Sequence, residues 1–375
     1  MWGVEASPCL RAHGAPGRAM AMCWLAAALA AMTSLAGCAG SAYLAQSIGG
    51  QFDLVRRAQP VEALLADPHT RPELRVELAN AAKIRDFATR ELLLPDNGSY
   101  RRFADIERPY VVWNVFAAPE LSLQLSEWCF PVAGCVGYRG YFSKANADEF
   151  ADRMKNEGFD VYVGGVPAYS TLGWFDDPLL STFIHYPEGE LARLMFHELS
   201  HQVAYARDDS TFNESFAVAV EREGVRRYLA LAVPELAVEF ARASSRREEF
   251  TRLVATSRTR LAAVYSAPLT DDEKRAAKPR MLAELRRDYD DLKNRKWQGY
   301  AGYDAWFAGE TNNAKLASLA VYAVRVPAFE ALLRRSGGDL AEFYARVKKL
   351  AAMPKRERNA ALDAAGDGGR QAASE

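Results

Sequence analysis

The chain has 375 residues, with 47 Lys plus Arg against 48 Asp plus Glu and a net charge of −1. That balance argues against a polyanion-binding protein, because phosphate neutralisation needs an excess of cations. Charged residues at 25% and hydrophobic ones at 49% are ordinary globular values, which exclude a disordered, collagen-like or multi-span membrane chain.

Residues 1–37 read as an export signal. The run Ala19–Gly37, AMAMCWLAAALAAMTSLAG, carries no charge, and Arg11 and Arg18 precede it. It ends Leu35-Ala36-Gly37-Cys38, which resembles the lipobox of bacterial lipoproteins. The resemblance implies that Cys38 becomes the lipid-bearing first residue and that the protein meets a membrane through that lipid. Ala39 after the cysteine, with no acidic residue there, implies the periplasmic face of the outer membrane. The alternative for the run is a transmembrane anchor. Cys129 and Cys135 lie in CFPVAGC, whose Pro and Gly suit a tight reversal. In an oxidising periplasm they are expected to form a disulfide, the alternative being two buried thiols.

Along the mature chain, residues 42–95 read as helix interrupted at Pro60, Pro68 and Pro72. Residues 109–117 are rich in β-formers, 128–142 suit a hairpin, 144–157 a short helix and 159–163 an alternating strand. From 189 the pattern is helical, with helices expected near 189–206, 212–231, 234–266, 270–296, 312–336 and 338–352. Residues 354–375 are expected to be a flexible tail. The class is α+β. A mixed lobe, 38–188, precedes a helical lobe, 189–353, in one domain spanning 38–353.

His197-Glu198-Leu199-Ser200-His201 is an H-E-x-x-H. Histidines at i and i+4 of a helix share one face, so both rings can reach one ion. Glu198 is offset by one residue and can meet a water in place of the ion. A catalytic site takes three protein ligands and keeps one position open. Twelve residues separate His201 from Glu214, so Glu214 in Asn213-Glu214-Ser215-Phe216-Ala217 can return on the next helix as the third ligand. Two alternatives stand beside it. Thr211-x-x-Glu214 fits a capping box, in which Glu214 only binds a backbone amide. Glu221, two turns on, is the fallback ligand.

These motifs resemble the gluzincin metallopeptidases, the thermolysin-like clan. The order AYSTLGWFDDP, HELSHQ, NESFA, NNAKLASLAVY resembles more closely a bacterial family of lipoprotein aminopeptidases, over about residues 40–350. The resemblance implies one Zn2+ on His197, His201 and Glu214, Glu198 as general base, and a peptide substrate. It also implies a downstream oxyanion donor. No histidine follows Glu214, so Tyr322 or Tyr303 is expected there. A substrate-pairing strand is expected at 168–173, with Ser170, Thr171, Leu172 and Gly173 in contact with substrate; its alternative is an ordinary buried strand end. Asn312 and Asn313 are expected to cap the helix they open or to line the cleft. Two other functions remain open: a non-catalytic zinc-bearing envelope lipoprotein, and a zinc amidase acting on cell-wall peptides.

Overall fold

The computed structural model describes residues 38–130, 134–168, 170–231, 234–319 and 325–372. The signal segment and Tyr322 lie outside these residues. The chain divides into two units, Met1–Gly49 and Gly50–Glu375. The described part of the first is the start of helix α1 (Cys38–Arg57), where the Ser47 hydroxyl donates to the Tyr43 carbonyl at 3.0 Å. Among the described residues no helix is long and apolar enough to cross a membrane.

In the second unit, prolines divide the early helices much as the spacing suggests: α2 is Val61–Ala66, and α3, Pro72–Arg90, carries Pro72 in its first turn. Arg85 of α3 is fully buried. Its guanidinium donates to the carbonyls of Pro95 (2.6 Å), Asn97 (3.2 Å) and Ser99 (2.8 Å), fixing the loop that follows.

Two short strands, β1 (Gln59–Pro60) and β2 (Arg102–Ala104), pair antiparallel, and β8 (Leu179–Leu180) adds in parallel to β2. The larger sheet has the order β6-β3-β7. Its centre is β3 (Val112–Pro119), paired antiparallel with β7 (Phe159–Val166) from Val112↔Val166 to Pro119↔Phe159. Strand β6 (Arg139–Tyr141) covers the other edge. Helix α4, Lys144–Asn156, lies between β6 and β7 in sequence and is capped by the Ser143 hydroxyl. The hairpin of β4 (Trp128–Phe130) and β5 (Gly134–Val136) places Cys129 opposite Cys135, and the two form a disulfide with an S–S distance of 2.00 Å.

From residue 188 the described chain is helical: α5 (Glu188–Ser200), α6 (Ser210–Leu229), α7 (Pro234–Ser266), α8 (Asp271–Asp291), α9 (Asp304–Phe307), α10 (Asn313–Ser318), α11 (Val326–Arg335), α12 (Leu340–Ala351) and α13 (Lys355–Ala372). A π-helical turn, Leu292–Lys296, continues α8. The class is α+β. Asp160 of β7 ties sheet to helices, accepting from Lys278 Nζ of α8 (2.6 Å) and from the Asn313 amide of α10 (2.8 Å). Asn312 caps α10 through its side chain and also donates to the Val161 carbonyl at 2.9 Å, so it is a cap and a tie to the sheet.

Four expectations are corrected. Among the described residues of 168–173 there is no strand: β7 stops at Val166, and Leu172 (φ 58) and Gly173 (φ 82) form a left-handed turn. The helix expected to 206 ends at Ser200, whose hydroxyl donates to the His197 carbonyl at 2.6 Å. In place of one helix over 312–336, the described residues of that range form α10 and α11, with 320–324 outside the described residues. Within the segment 354–375, expected as a flexible tail, helix α13 buries Arg358, Leu362 and Ala365.

Candidate metal centre

Helix α5 opens with Glu188 and Glu190, which suit the positive end of its dipole. Leu191, Met195 and Leu199 bury its apolar stripe. This leaves His197 and His201, each 8% exposed, on the face turned towards α6. His201 sits at the helix C-cap, and its ring meets that of His197 edge-on, with centroids 5.0 Å apart.

Glu214 comes from the second turn of α6. Its Oε2 lies 3.2 Å from His197 Nε2, and its Oε1 lies 3.8 Å from His201 Nε2. The ligand atoms of the three residues lie within 4.8 Å of one another. Donors around a tetrahedral zinc, with arms of about 2.0–2.2 Å, stand roughly 3.3–3.6 Å apart. Two imidazole nitrogens and one carboxylate converging at this spacing fit a divalent cation, with one position left for a small ligand. Nδ1 of His201 is buried without a hydrogen-bond partner, so it is Nε2 of this ring that faces the shared centre.

The capping-box reading of Glu214 does not hold. The carboxylate of Asp209 caps α6 by accepting from the Phe212 amide at 3.1 Å. Asp209 is in turn gripped by Arg358 of α13, through Nε (3.0 Å) and Nη2 (2.8 Å). Asn213 bridges the crossover: it accepts from the Ala206 amide (2.7 Å) and donates to the Ala206 carbonyl (2.9 Å). Glu214 is thereby free of capping and directed at the histidines.

Glu221 is not positioned as a ligand of the shared centre. It lies on the far side of His197, with Oε2 2.9 Å from Nδ1, and Arg193 Nη1 reaches the same oxygen at 3.1 Å. An acceptor at Nδ1 fixes the proton there and leaves the Nε2 lone pair for an ion. Its place seven residues after Glu214 on one helix was the available signal, since i and i+7 share a face.

The charges follow from this packing. Burial opposes a charge on His197, but the carboxylates of Glu214 and Glu221 outweigh it and push its pKa up to about 10 without a metal. Burial pushes His201 down to about 4. Glu198, half-buried beside them, is pushed up to about 7 by burial, opposed by His197 and reinforced by the charges of Glu214 and Asp177. That is a value suited to a general base near neutrality.

The expected substrate-contact residues lie beside this centre. The turn 170–173 is held by Asp177, whose Oδ2 accepts from the Thr171 amide at 2.9 Å, and a Cβ added to Gly173 would stand 3.7 Å from Gln202 Oε1. Gln202 is itself fixed by Asn97 (2.7 Å) and Ser99 (3.2 Å), on the loop that Arg85 holds. Tyr303 stacks on Phe250 at 4.1 Å in an aromatic cluster, with Glu190 and Arg193 of α5 among the charged groups around it. Tyr322 lies outside the described residues. Tyr205 was not singled out from the sequence. It is half-buried, and burial together with the charges of Glu214 and Asp208 raises its pKa.

Residues 42–362 match the family described as "Putative aminopeptidase", and the chain belongs to that family. No curated protein and no solved structure matches the chain.

Proposed function

We propose that this member of the family is a zinc-dependent aminopeptidase of the gluzincin type. The carrying observation is the convergence of His197 Nε2 and His201 Nε2 on the Glu214 carboxylate, with Glu198 beside them. A zinc ion held there would act as a Lewis acid and lower the pKa of a water to about 7. Glu198 takes the proton of the attacking water as its oxygen bonds to the scissile carbonyl carbon. It then delivers that proton to the leaving amine as the C–N bond breaks. Glu221 holds His197 in the tautomer the reaction needs, and Arg193 keeps Glu221 ionised. The turn 170–173, packed near Gln202, forms one wall for the substrate.

The family description supports peptide hydrolysis from the amino end. The Leu35-Ala36-Gly37-Cys38 sequence supports lipid attachment at Cys38, and the Cys129–Cys135 disulfide suits an oxidising compartment. We therefore propose that the enzyme acts at the periplasmic face of the outer membrane, with peptides as substrates. A peptide-library digest by the zinc-loaded and the chelated protein tests the reading. Trimming from the amino end that stops on chelation is expected; internal cleavage alone, or none, would overturn it.

A further inference from the structure

A second polar cavity, of about 400 Å3, adjoins the first turn of α6. Its lining includes Ser210 and Thr211 of that turn, Arg258 of α7, Arg325, and Lys355 and Asn359 of α13. Two of these carry a buried polar atom with no hydrogen-bond partner: Nε of Arg258, a donor, and Oδ1 of Asn359, an acceptor. Burial pushes the Arg258 pKa below its ordinary value.

The charges around the cavity do not cancel locally. Asp209 is taken by Arg358, and Arg325 is paired with Asp363 at 2.9 Å. Asp208 accepts from the Cys135 amide at 2.6 Å and lies 4.0 Å from Arg207. Lys355 meets only the Asp208 carbonyl, at 2.8 Å. Among the described residues, neither Arg258 nor Lys355 has a carboxylate at ion-pair distance, while Asp208, Asp209 and the exposed Glu127 share the lining.

We infer that this cavity binds a carboxylate of the peptide on which the metal centre acts, with Arg258 as the principal donor and Lys355 as the second cation. The inference rests on the peptidase reading above. Thr211 in the lining and Glu214 at the metal centre are i,i+3 neighbours on one helix, about 4.5 Å apart along its axis. One extended peptide residue advances about 3.4 Å, so a carboxylate one or two residues from the scissile bond reaches the cavity. The Arg325 amide donates to the hydroxyl of Ser215, the residue after Glu214, at 3.2 Å, so the lining is also tied to α6 one residue from the metal centre. A guanidinium fork matches a carboxylate in shape as well as charge. The enzyme is then selective for short or acidic peptides.

The test measures binding by calorimetry to zinc-loaded Glu198→Gln protein, which cannot turn over. The probes are alanyl-alanine, its C-terminal amide, and alanyl-glutamate α-amide. A charge-assisted hydrogen bond should make at least one acid bind about tenfold more tightly than the neutral amide. Which acid wins tells a C-terminal carboxylate from an acidic side chain. Arg258→Gln in the same background should bring acids and amide level, while Arg260→Gln, on the exposed side of α7, should keep the preference. Should Arg258→Gln fail to fold, Lys355→Ala at the exposed end gives the same reading with a smaller drop. Equal binding of all three probes, or a preference that survives loss of Arg258, overturns the inference. A protein that binds the acid but whose Glu198-containing form cleaves no peptide would refute the peptidase reading and leave the cavity assignment standing.

Discussion

His197 Nδ1 lies 2.9 Å from Oε2 of Glu221, so the first histidine of the H-E-x-x-H is held from behind by a carboxylate two turns past the third candidate ligand. Removing that carboxylate should loosen the ring and leave Arg193 with Glu190 as its remaining carboxylate partner, at 2.9 Å. Glu221→Ala is expected to weaken zinc binding about 10–100-fold. Glu221→Gln, which keeps an acceptor oxygen, should lose less. Competition against a chelator of known affinity reads both.

Zinc uptake should release a proton. Without metal, His197 is held up to about 10, whereas an ion needs its neutral form. Calorimetry at pH 7.5 in two buffers of different protonation enthalpy is expected to show release of about one proton per ion. The folded value lies above the ordinary 6.5 of a free imidazole. The stabilisation this gives the metal-free fold is therefore complete below about 6.5, and it fades as pH rises through about 10. His201, pushed down to about 4, acts in the opposite sense and costs stability as pH falls from 6.5 through that value.

Glu198→Gln should keep the metal and lose hydrolysis by about 10²–10⁴-fold, the usual weight of a general base. In the parent protein kcat/KM should fall on the acid side, because Glu198 must be ionised to accept a proton. Its metal-free value is about 7, and a bound cation lowers it, so the midpoint belongs at or below that. A kcat/KM that rises as the pH falls below 7, or a Gln variant with full activity, would contradict the assignment.

Arg358→Ala should be the most damaging change outside the metal centre. Arg358 and Asp209 have side chains 3% and 4% exposed, and losing one partner strands the other charge. Breaking such a buried pair costs about 3–5 kcal/mol. Asp209 also caps the helix that presents Glu214, so zinc affinity should fall together with the thermal midpoint. Truncation after Met353 should reproduce both effects.

The chemistry-bearing helix was legible in the sequence because it depends on spacing alone: His197 and His201 four apart, with an apolar stripe beneath. What lies around it was less legible, because it is decided at long range. Thr211 looks like a cap for Glu214, but the cap is Asp209, held by an arginine 149 residues further on. That arginine lies in the segment 354–375, which reads as a flexible tail, and only its partner Asp209 shows that Arg358 is buried while Lys355, Arg356 and Glu357 stay exposed. The helix was expected to run on past His201 because Val203 continues the stripe. The chain leaves it at Ser200, where contacts of Gln202 with Asn97 and Ser99 redirect the backbone. Segment 168–173 was given to a strand on resemblance, and its left-handed residues make it a turn.

The double hydrogen bond between Asn213 and Ala206 closes the crossover into a clasp. A residue added in the turn 207–209 can leave it closed, since closure entropy grows slowly with length. Added inside the first turn of α6, between Ser210 and Asn213, the same residue shifts Glu214 about 100° around the helix relative to the Asp209 cap, away from both imidazoles.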